Sequence, residues 1–320
     1  ALARYVRADA QELDLLHFDL DNILHAAEQA DDETRLSIIT ALALEGYVDN
    51  RGHSRRLLGV LDQALDYLTV QQETTPRMEI GRQLHHLLSK RGNAHFDRGE
   101  YAAAAVVYTA ARAAAYNHER RVMLTALIGK ALSFDGKMEA AQADFTLAEE
   151  QARAAGDDLL LSFVLEQAAH AAGQRRDFAT ARRVAAEQVA INERLLRESD
   201  ARNRHERLFR SLINLGTAEI RLAQQAASCG EAAAPGGVLA IHQRAAEIAK
   251  YLDSAELLAH AYWALGEDYH FLHDRAQAAR YLGAAYDLYA DLGKVRDREI
   301  VAVFMRQHDY PPGDLASVQK

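Results

Sequence analysis

Leu88-Ser89-Lys90-Arg91-Gly92-Asn93-Ala94-His95-Phe96-Asp97-Arg98-Gly99-Glu100-Tyr101, running on through alanines to Ala115, is the stretch whose reading decides the fold. It divides into two helices and a turn. Gly92 falls where two helices approach closely, because only a residue without Cβ permits that approach. Asp97-Arg98-Gly99-Glu100 is the turn, with Gly99 supplying the conformation that ends a helix. Tyr101, Ala104, Tyr108 and Ala111 then recur at three- and four-residue steps and make one apolar face of a second helix.

The pattern returns along the chain. Gly129 is followed by the turn Asp135-Gly136-Lys137 and the face Met138, Ala141, Phe145, Ala148. Ala169 takes the glycine place ahead of Arg175-Arg176-Asp177 and the face Phe178, Ala181, Ala185. Gly216 anchors a fourth unit whose second helix is delayed to about Val238, Ile241, Ala245 and Ile248. Gly266 anchors a fifth, with the turn His273-Asp274-Arg275, then Ala278, Leu282 and Ala285. Glycine, turn, then aromatic and alanine in alternation resembles the tetratricopeptide repeat (TPR) family. The anchors stand 37, 40, 47 and 50 residues apart, against roughly 34 in the ordinary repeat. The resemblance implies an all-α fold, a right-handed superhelical TPR-like α-solenoid. It would hold about six to seven antiparallel hairpins with helices longer than standard.

Composition agrees and excludes much else. Four prolines and 18 glycines in 320 residues favour helix nearly throughout, and no stretch alternates long enough for a strand. A net charge of −9 argues against a surface that neutralises phosphates, so no nucleic-acid partner is expected. The single cysteine, Cys229, rules out an internal disulfide and fits a reducing, cytoplasmic compartment. No run of eighteen apolar residues and no leader is present, so no membrane partner is expected. The chain opens Ala-Leu-Ala without an initiator Met and reads as a piece of a longer protein.

Residues 1–75 read as a helical segment with divergent first hairpins. A helix spans Gln11 to Ala30 and a second about Glu33 to Val48, ending at Asp49-Asn50-Arg51-Gly52-His53. A third helix carries Leu57, Leu61, Ala64, Leu65 and Leu68, and Gln71 to Pro76 is a loop. Residues 76–310 form the repeat array, interrupted by a mobile, breaker-rich loop at about 226–237. The charged stretch Asn192 to Arg210 has two readings: a solvated edge laced with i,i+4 pairs, or a docking surface for an acidic partner. Arg296 to Gln307 makes a last, capping helix, and 311–320 is a flexible tail.

Catalytic motifs are missing. Gly129-Lys130-Ala131, Gly136-Lys137-Met138 and Gly293-Lys294-Val295 have neither the hydroxyl nor the upstream glycine of a phosphate loop, and Ser317-Val318-Gln319-Lys320 is a chance match at the tail. The adjacent His85 and His86 read as pointing to opposite helix faces. No cofactor, metal or catalytic residue is expected. The richest helix is Leu257 to His273, which holds the single tryptophan and puts His260, Trp263, Glu267 and His270 on one face. If first helices line a groove and residues one past each anchor face it, Asn93, Lys130, His170, Thr217 and Glu267 form a row. Phe96, Glu166, Ile213, His260, Trp263 and His270 extend that row. Trp263 and its histidines then either anchor a partner or pack against the neighbouring hairpin or cap. Metal binding by His270, His273 and Asp274 is a lesser alternative.

Phe18-Asp19-Leu20-Asp21-Asn22-Ile23-Leu24-His25-Ala26-Ala27 resembles the helix that follows the ATPase module in bacterial STAND proteins, signal-transduction ATPases with numerous domains, of the NB-ARC type. There too the next hairpin turns on an Arg-Gly like Arg51-Gly52. This resemblance implies a non-enzymatic sensor arm. It would hold an amino-terminal ATPase module closed until a protein or peptide inducer binds, so its partners would be that inducer and the ATPase module of its own chain. The absence of any Walker motif fits an isolated sensor region. The alternatives are a stand-alone TPR scaffold or peptide-sensing regulator, and an enzyme with only Leu257 to His273 as a foothold.

Overall fold

The structure, a computed structural model, describes residues 25–32, 35–36, 55–71, 77–230 and 237–310. Among these the long elements are all helices: α1 (Arg55–Gln71), α2 (Arg77–Asp97), α3 (Tyr101–Ala113), α4 (His118–Phe134), α5 (Met138–Ala155), α6 (Asp158–Gln174), α7 (Phe178–Glu198), α8 (Arg202–Ser228), α9 (Val238–Tyr251), α10 (Ala255–Phe271), α11 (Arg275–Asp291) and α12 (Val295–Gln307). Most of the expected helix at 33–48, the Arg51-Gly52 turn, most of the loop before Pro76, the centre of the 226–237 loop and the tail at 311–320 lie outside the described residues. So does most of the Phe18–Ala27 motif.

Two compact units divide the chain, Ala1–Leu160 and Leu161–Lys320. In the first, each of α1 to α5 packs on its neighbour in sequence. A Cβ on Gly92 would lie 2.4 Å from the Tyr108 ring, so the glycine is what lets α2 meet α3. The Tyr108 hydroxyl then donates to Asn93 Oδ1 at 2.8 Å and pins that contact. Gly129 repeats the device against Phe145 more loosely, its virtual Cβ 3.3 Å from the ring. Ala104, Tyr108, Ala111, Leu124, Ile128 and Ala131 bury together between the hairpins. The turns that close α2 and α4 place Gly99 (φ 76°) and Gly136 (φ 82°) in the left-handed region, where glycine carries no Cβ penalty.

In the second unit α7 packs on α8, α8 on α9, and so on to α12, and α8 also touches α10. Gly266 admits Leu282, and Gly216 admits His242, whose Nε2 would lie 2.2 Å from a Cβ there. From Gly92, Gly129 and Gly266 the opposed side chain stands sixteen residues on; the same step from Ala169 reaches Ala185, so a small residue faces a small one. Buried polar groups tie α6, α7 and α8: Ser162 Oγ donates to Asn192 Oδ1 (2.8 Å), and Asn192 Nδ2 donates to the Arg207 carbonyl (3.3 Å). Asn192 therefore belongs to the interior, although it opens the charged stretch. Further along that stretch Arg202 pairs with Glu206 at i,i+4 (3.2 Å) and His205 with Asp200 (2.5 Å).

One expectation needs correction. Ala226–Ser228 is helix, not loop, because Leu222 to Ala227 are strong helix formers that carry α8 onward. α2, α4, α6 and α10 end five residues past their anchors, whereas α8 ends twelve past Gly216. That overhang is about two extra turns, on the order of 10 Å.

The anchors generate a stability prediction. Gly92→Ala and Gly216→Ala should each cost about 1–3 kcal/mol, since the opposed rings are buried and hydrogen-bonded and have no room to retreat. Gly173→Ala, with nothing within 4 Å of the added carbon, should be neutral or stabilising by up to about 1 kcal/mol. Urea unfolding of the three variants decides it; equal losses at all three positions would contradict the close-approach account.

Candidate functional site

Three of the residues one past an anchor, Asn93, Lys130 and Glu267, bridge between helices in the structure. In the first unit Asn93 accepts from Tyr108 as described. Phe96 packs against Tyr101 and Phe134 with centroids 5.1 and 5.0 Å away, and Lys130 Nζ sits over the Phe96 ring at 4.7 Å. His85 and His86, expected on opposite faces, have rings 5.3 Å apart, both close to Tyr116. Adjacent side chains on a helix diverge by about 100°, which leaves room for two rings to meet over one neighbour. Burial and nearby cations push the His86 pKa down to about 4.

In the second unit the face of α10 is shared between two neighbours. Glu267 Oε1 accepts from Arg221 Nη2 of α8 at 2.8 Å. Trp263 packs edge-on to Phe304 of α12 at 5.2 Å. His270 Nδ1 is hydrogen-bonded to the Tyr310 hydroxyl at 2.8 Å, and its ring lies 4.2 Å from that of His308. Trp263 and His270 are thus half-buried against the closing helix, while His260 stands exposed near Phe209. Thr217 and Glu166 are half-buried and His170 is exposed. Ile213 is 6% exposed and belongs to the core, so its placement in an accessible row is corrected: its helix turns that position toward α9 and α10. His270, His273 and Asp274 are not gathered, for Asp274 caps α11 by accepting from the Gln277 amide. Among the described residues no three metal-capable side chains come together, and no helix is long and apolar enough to cross a membrane.

Beneath this face lies a pair that sequence reasoning missed. His242 Nδ1 donates to Asp268 Oδ2 at 2.6 Å, both side chains 1% exposed, and His242 Nε2 and Asp268 Oδ1 have no further partner. The signal was a histidine in the slot that Tyr108, Phe145 and Leu282 fill in other hairpins, hidden by the delayed start of α9. Burial raises the Asp268 pKa, and the bond from His242 draws it back. Burial likewise raises that of Glu267, opposed by Arg221. Burial first, then His308, lowers that of His270.

The overhang of α8 forms one wall of a cleft of ≈ 470 Å³ lined by Arg176, Phe178, Arg221, Gln224, Gln225 and Ser228. Arg221 Nη1 donates to Gln224 Oε1 there at 2.9 Å while its Nη2 holds Glu267.

The two raised carboxyl pKa values fix the sign of a pH effect. Stability contributed by a group whose folded pKa is raised is full below the ordinary carboxylate range and is lost as pH climbs through the raised value. The double variant Glu267→Gln, Asp268→Asn should therefore gain on the parent, in unfolding free energy, as pH rises through the mildly acid range. Urea unfolding at stepped pH measures this. A difference between the two proteins that stays constant with pH would refute it.

No family model matches the chain, and no curated protein matches it. Among solved structures it is similar to BtubC (BKLC) from P. vanneervenii, at 16% identity and a TM-score of 0.54 over 74% of this chain and 91% of that one. It is also similar to aspartyl phosphate phosphatase F from Bacillus subtilis, at 12% identity and 0.56 over 92% and 73%. A third similarity is to the STAND protein with a tetratricopeptide repeat sensor from Pyrococcus horikoshii, at 13% identity and 0.54 over 92% of this chain, which spans 42% of that protein's length. At such identities the likeness is one of fold, and the fold is a TPR-like helical solenoid.

Proposed function

We propose that this chain is a non-enzymatic, cytoplasmic binding module that senses a protein or peptide. In the finer reading it recognises an inducer and controls autoinhibition of a STAND ATPase. The observation that carries the proposal is the Arg221–Glu267 bridge, which joins the first helices of consecutive hairpins on a partly accessible face. A repeat array is held by nearest-neighbour contacts, so a ligand that competes for Arg221 or Glu267 acts directly on the spacing of α8 and α10. It shifts the balance between two arrangements by its differential affinity for them and by no more. Asn93, Phe96 and Lys130 in the first unit, and Glu166, His170, Thr217, His260, Trp263 and His270 in the second, remain the proposed contact residues.

The STAND assignment is supported by the Phe18–Ala27 and Arg51-Gly52 resemblance together with the fold of the Pyrococcus horikoshii protein. The second reading, a stand-alone scaffold or peptide-sensing regulator, is favoured by coverage of 91% of BtubC, which shows this fold in a chain of comparable size.

A photo-crosslinking residue placed at Thr217, His260 or Glu267 of the complete gene product, expressed in its own cell, tests the proposal. Mass spectrometry should find a protein or peptide adduct at these positions and none at the exposed control Tyr251. Adducts to an ATPase module of the same chain support the STAND reading. Equal labelling at Tyr251, or none anywhere, would sink the sensor assignment.

A further inference from the structure

The cleft under the α8 overhang is a feature the ordinary repeat does not have. Its upper wall, Gln224, Gln225 and Ser228, belongs to the two helical turns by which α8 outruns the other first helices. Its opposite wall is the α6–α7 turn. Seven residues past the anchors Gly92 and Gly129, the turns carry Gly99 and Gly136. Seven past Ala169 stands Arg176, at φ 62°. Arginine is uncommon in that backbone region, and His273, seven past Gly266, shares it at φ 62°. The Arg176 side chain is exposed and has no hydrogen-bond or ion-pair partner among the described residues. Gln224 spends its carbonyl oxygen on Arg221, which leaves its amide N–H groups as donors. Phe178 supplies an apolar wall beside them.

The charge of the cleft decides what it takes. Two guanidiniums line it, and one of them, Arg221, is already matched by Glu267. One positive charge is left, with a planar fork of donors suited to a carboxylate. A phosphate, near −2 at neutral pH, would be under-neutralised there. The volume of ≈ 470 Å³ lies within the range of roughly 300–1,000 Å³ typical of ligand pockets. We propose that the cleft between the α6–α7 turn and the α8 overhang binds an acidic side chain of a peptide partner. Arg176 takes the carboxylate, Gln224 and Gln225 take polar groups of the peptide backbone, and Phe178 takes an adjacent apolar side chain. This deepens the sensor reading and rests on it, by naming the partner as an acidic–apolar peptide.

The test uses the full chain and three fluorescein-labelled pentapeptides, Ala-Leu-Glu-Leu-Ala and its counterparts with glutamine or phosphoserine at the centre. Fluorescence polarisation should show the glutamate peptide binding at least tenfold more tightly than the glutamine one. Arg176→Gly places at this position the glycine found at the α2–α3 and α4–α5 turns, so its melting temperature should hold or rise while the glutamate preference disappears. Gln224→Ala should weaken all three peptides alike. Equal affinity for glutamate and glutamine, or a preference that survives in Arg176→Gly, overturns the proposal. A phosphoserine peptide that binds tenfold more tightly than the glutamate peptide overturns the single-charge assignment. Loss of the cleft in this assay with crosslinks at Thr217 and Glu267 intact would leave the sensor reading standing; loss of the crosslinks removes that reading itself.

Discussion

Three hairpins of this protein depend on a missing methyl group. Where Gly92, Gly216 and Gly266 face Tyr108, His242 and Leu282, the opposed side chain occupies the space a Cβ would fill. The backbone of one helix therefore meets a large side chain of the next directly, and packing of that density forfeits energy quickly when it is disturbed. The third hairpin solves the same problem from the other side, with Ala169 and Ala185 both small. Because the close approach fixes the rotation of each first helix, it also fixes where the next residue emerges. That is why Asn93, Lys130 and Glu267 all reach a neighbouring element rather than open solvent.

The polar bridges built on this frame are costly ones. Glu267 and Asp268 sit side by side, each with its ionised form disfavoured by burial and each held by one basic partner, Arg221 and His242. Charged groups desolvated to this degree add little net stability over apolar packing, and they make the geometry sensitive to whatever touches their partners. A face meant only to stabilise neighbouring hairpins would be better served by leucines. Trp263 and His270, by contrast, are engaged by Phe304 and Tyr310, so the carboxy-terminal end of that face is closed by apolar and aromatic contact.

The α8 overhang shows how a repeat array accepts local novelty. Each hairpin contacts only its neighbours, so two added turns at one helix end leave the other units in register. The added length builds a wall opposite the α6–α7 turn and brackets a cleft there.

Helix content, anchors, turns and the late start of α9 at Val238 were all legible in the sequence, because periodicity and glycine placement are local properties of each helix. Periodicity says which side of a helix is apolar but not what stands opposite it. The 46-residue reach from Arg221 to Glu267, the burial of Ile213 and the pairing of His242 with Asp268 were therefore decided only when helices were set against each other. The same holds for the cleft beside Arg176. Its turn, Arg175-Arg176-Asp177, was present in the sequence. Its other wall existed only once α8 was set opposite that turn.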